Sequence, residues 1–143
     1  MRRMGRIRPM RLMGLIRPLG LIGLLGLGLL GCSKPSAEEM AALAAKGYYT
    51  HLAKGEYEQF LEGKAGADSL PADYREQLLT AYQQFMAQQQ QLHQGIHEVR
   101  TSSVTTDSLA HYTSVMLLLC YGDSTEEEIV VPMVSQNGSW RMK

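Results

Sequence analysis

Few residues in this 143-residue chain stand at the spacings that chemistry needs. His93 and His97 are four apart, the offset of two metal ligands on one helical face. Gly95 falls between them where a helix should end, and no third ligand follows in an HExxH manner. They read as solvated surface histidines, and no metal ligand is assigned. Glu126, Glu127 and Glu128 could draw a cation, but three charges beside a turn usually guard a strand edge against pairing. One form of acid–base chemistry in an apolar pocket sets a carboxylate base beside a tyrosine hydroxyl or a second acid. Tyr48, Tyr82 and Tyr112 could point inward, and Glu98 or Asp107 could supply the carboxylate, yet no spacing pairs them. Helix tyrosines are more often core residues with the hydroxyl at the rim. The sequence has no Gly-rich phosphate loop, no nucleophile elbow and no metal-spaced cysteine pair. The expectation is a protein that is not an enzyme, with no catalytic residue and no cofactor assigned.

The two cysteines, Cys32 and Cys120, have different prospects. Cys32 closes an N-terminal segment with six arginines, from Arg2 to Arg17, and the apolar run Leu19 to Leu30. A spanning helix needs about 20 apolar residues, so that run is too short to cross a membrane comfortably. Positive charge, a short apolar run and a small residue together read as a secretory signal. Leu29-Leu30-Gly31-Cys32 resembles the lipobox of bacterial lipoproteins. The resemblance implies a diacylglycerol on the Cys32 thiol, cleavage between Gly31 and Cys32, and a membrane partner through that lipid. It divides the chain into a signal peptide (1–31), a lipidated terminus with a short tether (32–36) and a domain (37–143). It also implies the bacterial cell envelope. Ser33 stands where the inner-membrane retention signal of enteric bacteria has Asp, which favours the outer membrane. Cys120 is left alone, cannot form an internal disulfide, and reads as a buried structural thiol in an apolar run.

Removing residues 1–31 takes six of the 14 basic residues and none of the 14 acidic ones, so the net charge goes from 0 to −6. That argues against nucleic acid as a partner. About 110 residues make one domain with one core.

The elements of the domain follow from periodicity and punctuation. Met40, Leu43, Ala44, Tyr48 and Leu52 recur at three- and four-residue steps, with Ser36 and Glu39 as a capping box and Gly55 as the stop. A second, shorter helix carries Tyr57, Phe60 and Leu61 inward and stops near Gly63. A third runs from Pro71 to Gln94, with Tyr74, Leu78, Ala81, Tyr82, Phe85, Gln89 and Leu92 as its predicted inner stripe. After Gly95 the period becomes two. Strands are predicted over Ile96 to Val104, Leu109 to Tyr121, Glu126 to Val134 and Ser139 to Lys143, with Trp140 inward. Thr105 to Ser108 reads as a turn, and Asn137-Gly138 as a tight hairpin. Pro132 predicts an edge or a bulge. The fold class is α+β: three N-terminal helices packed on one face of a curved four-stranded antiparallel sheet.

This layout resembles the nuclear-transport-factor-2-like, or cystatin-like, fold. The resemblance rests on Tyr48-Tyr49 followed by Lys54-Gly55-Glu56-Tyr57, on the Gly95-Ile96 entry into the first strand, and on Asn137-Gly138-Ser139-Trp140-Arg141-Met142 at the end. It covers Ala37 to Lys143. That family includes pocket enzymes of the ketosteroid-isomerase type, so a pocket enzyme or a small-ligand carrier is the alternative to a binding or structural module.

One expectation comes from the strands alone. Val115, Leu117, Leu119 and Tyr121 make one face of the second strand apolar, and Tyr112, Met116, Leu118 and Cys120 the other. The third strand repeats this with Ile129, Val131 and Met133 against Val130, Pro132 and Val134. Helices cover one face only, and a wet face should alternate to polar. Tyr112, Met116, Leu117, Leu118 and Val130 are therefore the candidate interaction face, for a homodimer or another protein.

Overall fold

The computed structural model describes residues 34–143; lipidation at Cys32 and cleavage after Gly31 lie outside them. Helix α1 spans Ala37–Ala53. Its start is set by Ser36, whose Oγ accepts from the Glu39 N–H at 3.1 Å while the Glu39 carboxylate accepts from the Ser36 N–H at 2.8 Å. Two backbone donors at the helix start are thereby satisfied. Ala41, Ala45 and Leu52 are buried along one side, and the small residues let the helix backbone approach the sheet. Gly55, at φ +79°, lets the chain reverse into α2, Tyr57–Glu62. Phe60 and Leu61 of α2 are buried, as predicted.

A short 3-10 turn at Ala67–Ser69 leads to α3, Ala72–His93, with Pro71 as its cap. Arg75 ties α3 to α2 by donating to Glu58 and Glu62, each at 2.7 Å. Gln94 and Gly95, both left-handed, end the helix. The predicted inner stripe of α3 is corrected. Gln89 is its buried residue, Tyr82 and Met86 pack against the core, and Tyr74, Phe85 and Leu92 are exposed. The helix leans on α2, α1 and the edge strand β1 rather than across the sheet, so part of its apolar stripe stays exposed.

Four antiparallel strands follow in the order β1-β2-β3-β4: Ile96–Asp107, Tyr112–Tyr121, Glu126–Gln136 and Ser139–Met142. The first turn lies later than the sequence suggested. Thr105, Thr106 and Asp107 extend β1, and Leu109 sits in the turn rather than opening β2. The Asp107 carboxylate decides this by accepting the Leu109 and Ala110 N–H groups, each at 3.0 Å. Register breaks in β1 near His97 and Ser102 are bulges that bend the sheet.

Of the two expectations for Pro132 the edge holds and the bulge does not: it pairs with Ser114 inside β3, and the β3–β4 pairing starts only at Met133. Its carbonyl accepts the Lys143 N–H at 2.8 Å, so its missing donor points outward, where β4 ends. Asn137-Gly138 forms the predicted hairpin, with Asn137 at φ +52° and Gly138 at φ +80°. At the last residue of β4, Met142 exchanges backbone bonds with Gly63 and Ala65 at 2.7 and 2.8 Å, which closes that end of the sheet edge. The core lies between α1, α2 and one sheet face. Leu61, Leu117, Leu119, Met133 and Val115 are its largest fully buried side chains, with Val99, Val131 and Met142 around them.

Candidate functional site

Strand β2 alternates strictly between two environments. Thr113, Val115, Leu117, Leu119 and Tyr121 are buried under the helices, while Tyr112, Ser114, Met116, Leu118 and Cys120 are half-buried on the other side. Pairing across β1 and β3 extends the outer face in rows. Met116 lies between Ser103 and Val130, Leu118 between Arg100 and Glu128, and Cys120 between Glu98 and Glu126. Val130 is 56% exposed. Of the five residues expected to form one interaction face, Tyr112, Met116, Leu118 and Val130 share it. Leu117 does not: it is fully buried on the helix side, because neighbours along a strand point to opposite faces. Cys120 also lies on the open face, half-buried rather than enclosed in the core.

The polar residues of this face gather at one end. Arg100 reaches across β2, donating to Glu126 Oε2 at 2.8 Å and to the Cys120 sulfur at 3.2 Å. Ser102 reaches Glu128 at 2.8 Å. Three glutamates (Glu98, Glu126 and Glu128) surround one arginine there, so that end is acidic. At the other end Lys143 stands 5.2 Å over the Tyr112 ring. No local sequence signal links Arg100 to Glu126, because they meet only across an intervening strand.

On the helix side a cleft of about 260 Å³ opens between α1, α2, α3 and the free part of the β3 edge. Tyr49, Phe60, Lys64, Tyr82, Val131 and Met142 line it. Phe60 stands edge-on to both Tyr49 and Tyr82, at centroid distances of 5.0 and 4.8 Å. Burial pushes the Tyr49 and Tyr82 hydroxyls above the usual tyrosine range, so both are neutral phenols at neutral pH. The carboxylates that sequence reading set beside tyrosines stay away from the cleft. Glu98 is on the open face, and Asp107 is held in the β1–β2 turn. The Tyr48 hydroxyl donates to the Trp140 carbonyl at 2.7 Å, a structural tie, and Tyr112 is on the opposite side of the sheet. Of the three candidate tyrosines only Tyr82 lines the cleft. Tyr49 was missed, although its adjacency to Tyr48 on a helix was the available signal. The cleft can hold an apolar or aromatic body and donate hydrogen bonds to it.

His93 and His97 are not brought together as ligands. His93 pairs with Asp123 at 3.0 Å and stacks on Tyr121 at 4.5 Å, which joins the end of α3 to the β2–β3 turn. Two Thr125 hydrogen bonds, then His93, hold the Asp123 carboxyl down at about 2. Among the described residues no cluster of three His, Cys, Asp or Glu could hold a metal ion, and no helix is long and apolar enough to cross a membrane.

No family model and no curated protein matches the chain. Among solved structures, it is similar to a crystal structure from Campylobacter jejuni whose name assigns it to the NTF2-like transpeptidases. The TM-score is 0.56 at 10% identity, covering 68% of this chain and 92% of that one. The domain therefore has the NTF2-like fold, with an open rather than closed sheet.

Proposed function

We propose that the chain is a lipid-anchored module of the bacterial cell envelope, without enzymatic activity, that docks a protein partner on the open face of its sheet. The observation that carries this is the apolar band of Tyr112, Met116, Leu118 and Val130 on a face that no described element covers. A face built only to meet water would put polar residues there. The partner's chemistry follows from the rim: an apolar patch flanked by basic groups would meet Glu98, Glu126 and Glu128. A second copy is the weaker fit. Copies anchored side by side in one membrane would set these acidic ends against each other.

Cys120 gives the test, since its thiol lies half-buried on the same face. Maleimide should label Cys120 at least tenfold more slowly in intact envelopes than in the purified lipoprotein. Equal rates would sink the docking reading. Slow labelling in both, relieved by dilution, would make the partner a second copy. For the anchor, Cys32→Ser should abolish lipid labelling, and normal labelling of that variant would defeat it.

Carriage of a small apolar ligand is a second reading, favoured by the aromatic cleft. At about 260 Å³ the cleft falls just below the roughly 300–1,000 Å³ of typical ligand pockets, so this reading ranks second. The absence of a carboxylate among the cleft's lining residues supports a binding role over a ketosteroid-isomerase-like reaction.

A further inference from the structure

We infer that the β1–β2 turn, led by Leu109, is a second membrane contact beside the lipid. The inference rests on the anchor reading above. Leu109 is 91% exposed, more than any other large apolar residue described. A lone exposed leucine means little by itself; its place in the fold gives it meaning.

The chain enters the domain at the same end. Glu38, in the first turn of α1, accepts a hydrogen bond from the Thr106 hydroxyl at 2.6 Å. Thr106 is three residues before Leu109. Cys32 is only four residues before the cap Ser36, and an extended chain covers at most about 3.3–3.6 Å per residue. The lipid therefore holds this end of the domain within roughly 14 Å of the bilayer surface. The occupant of the exposed turn is then the bilayer that carries the lipid.

The rest of this end suits a membrane interface. Met40 and Leu43, in the first two turns of α1, are also exposed. His111, Tyr112 and Trp140 line a groove beside the turn, and rings with a polar tip and an apolar body favour the headgroup layer. The nearby carboxylates are already engaged: Asp107 by the turn's own N–H groups, Glu38 by Thr106 and Glu39 by Ser36. Those carboxylates keep their charge, and Lys143 beside Tyr112 adds a cation at the same end, so the contact inferred is the apolar one made by Leu109. The opposite ends of the same strands, at Gly122 to Thr125, present Asp123 and Ser124 instead.

The test uses the full lipidated protein in phosphatidylcholine vesicles that carry a lipid-borne quencher. In a Cys120→Ser background, Leu109→Cys and, separately, Ser124→Cys are labelled with an environment-sensitive fluorophore. Both variants are first shown to keep the parent's circular dichroism. The label at 109 should shift to the blue and be quenched at least threefold more than the label at 124. Equal quenching and water-like emission at both positions, with the protein still floating with the vesicles, would overturn the membrane contact and leave the anchor standing. A protein that carries no lipid at Cys32 and stays in the aqueous phase would remove the anchor and the contact together.

Discussion

Leu117 and Leu118 are neighbours in one strand, yet they live in different surroundings. Leu117 is enclosed by α1 and the sheet, with Ile129 directly beside it. Leu118 is flanked by Arg100 and Glu128 on a face without a helix. The covered face is held by burial of apolar area, worth about 25 cal/mol per Å². The open face keeps the same residue types with no such return inside the chain. Apolar composition alone thus does not separate a core from a surface meant for another molecule; the direction of each Cα–Cβ bond does.

The sharpest way to break this comparison is to place the same charge at both positions. Leu117→Asp should cost about 4 kcal/mol or more and leave little folded protein, because a carboxylate would be buried without a partner. Leu118→Asp should change stability by about 1 kcal/mol or less. Urea unfolding followed by circular dichroism checks both; similar losses would mean the two faces are equally enclosed. The covered side also depends on a close approach: a Cβ on Gly63 would lie 2.5 Å from the Tyr48 ring. Gly63→Ala should therefore cost about 1–3 kcal/mol in the same assay, and a neutral result would show that α1 has room to shift.

A smaller effect is expected at the start of the covering helix. Ser36→Ala removes one half of the capping box and should cost about 1 kcal/mol in urea unfolding, without altering reactivity on the open face. The smallest effect concerns the β2–β3 turn that both faces share. The Asp123 carboxyl, lowered from 3.8 to about 2, stabilises the fold while ionised. That contribution is fully present above about pH 4 and is lost as the pH falls through 2. Asp123→Asn should unfold at lower urea than the parent at pH 7, and the gap should close as the pH falls toward 2. A gap independent of pH would assign the effect to geometry rather than charge.

Local punctuation was legible before any fold was known. Ser36 with Glu39, the Gly55 stop, Pro71 at a helix start, Gly95 and the Asn137-Gly138 hairpin all act within a few residues, so the chain states them directly. Element order and the α+β class followed. Where a choice depended on distant residues, the reading failed. The apolar stripe of α3 does not reveal that the helix leans to one side, leaving Phe85 and Leu92 exposed. One miss was local: the Asp107 side chain caps its own turn and so carries β1 three residues further than its composition suggests. Pro132 read as an edge or a bulge, and only the structure chooses the edge, because its nitrogen faces the side where β4 ends. Among the candidate site residues, Leu117 was set on the wrong face although alternation alone would have separated it from Leu118.

By itself the sequence determined the period, the turns, the charge of −6 after residue 31 and the excess of apolar residues on two strands. All of these are properties of neighbours along the chain. Only the tertiary structure decided which apolar face is covered, that Arg100 crosses a strand to Glu126, and that the Leu109 turn shares an end with the start of α1. Such placements arise from packing between elements far apart in sequence, where burial and hydrogen bonding choose among arrangements that local preferences leave equally open.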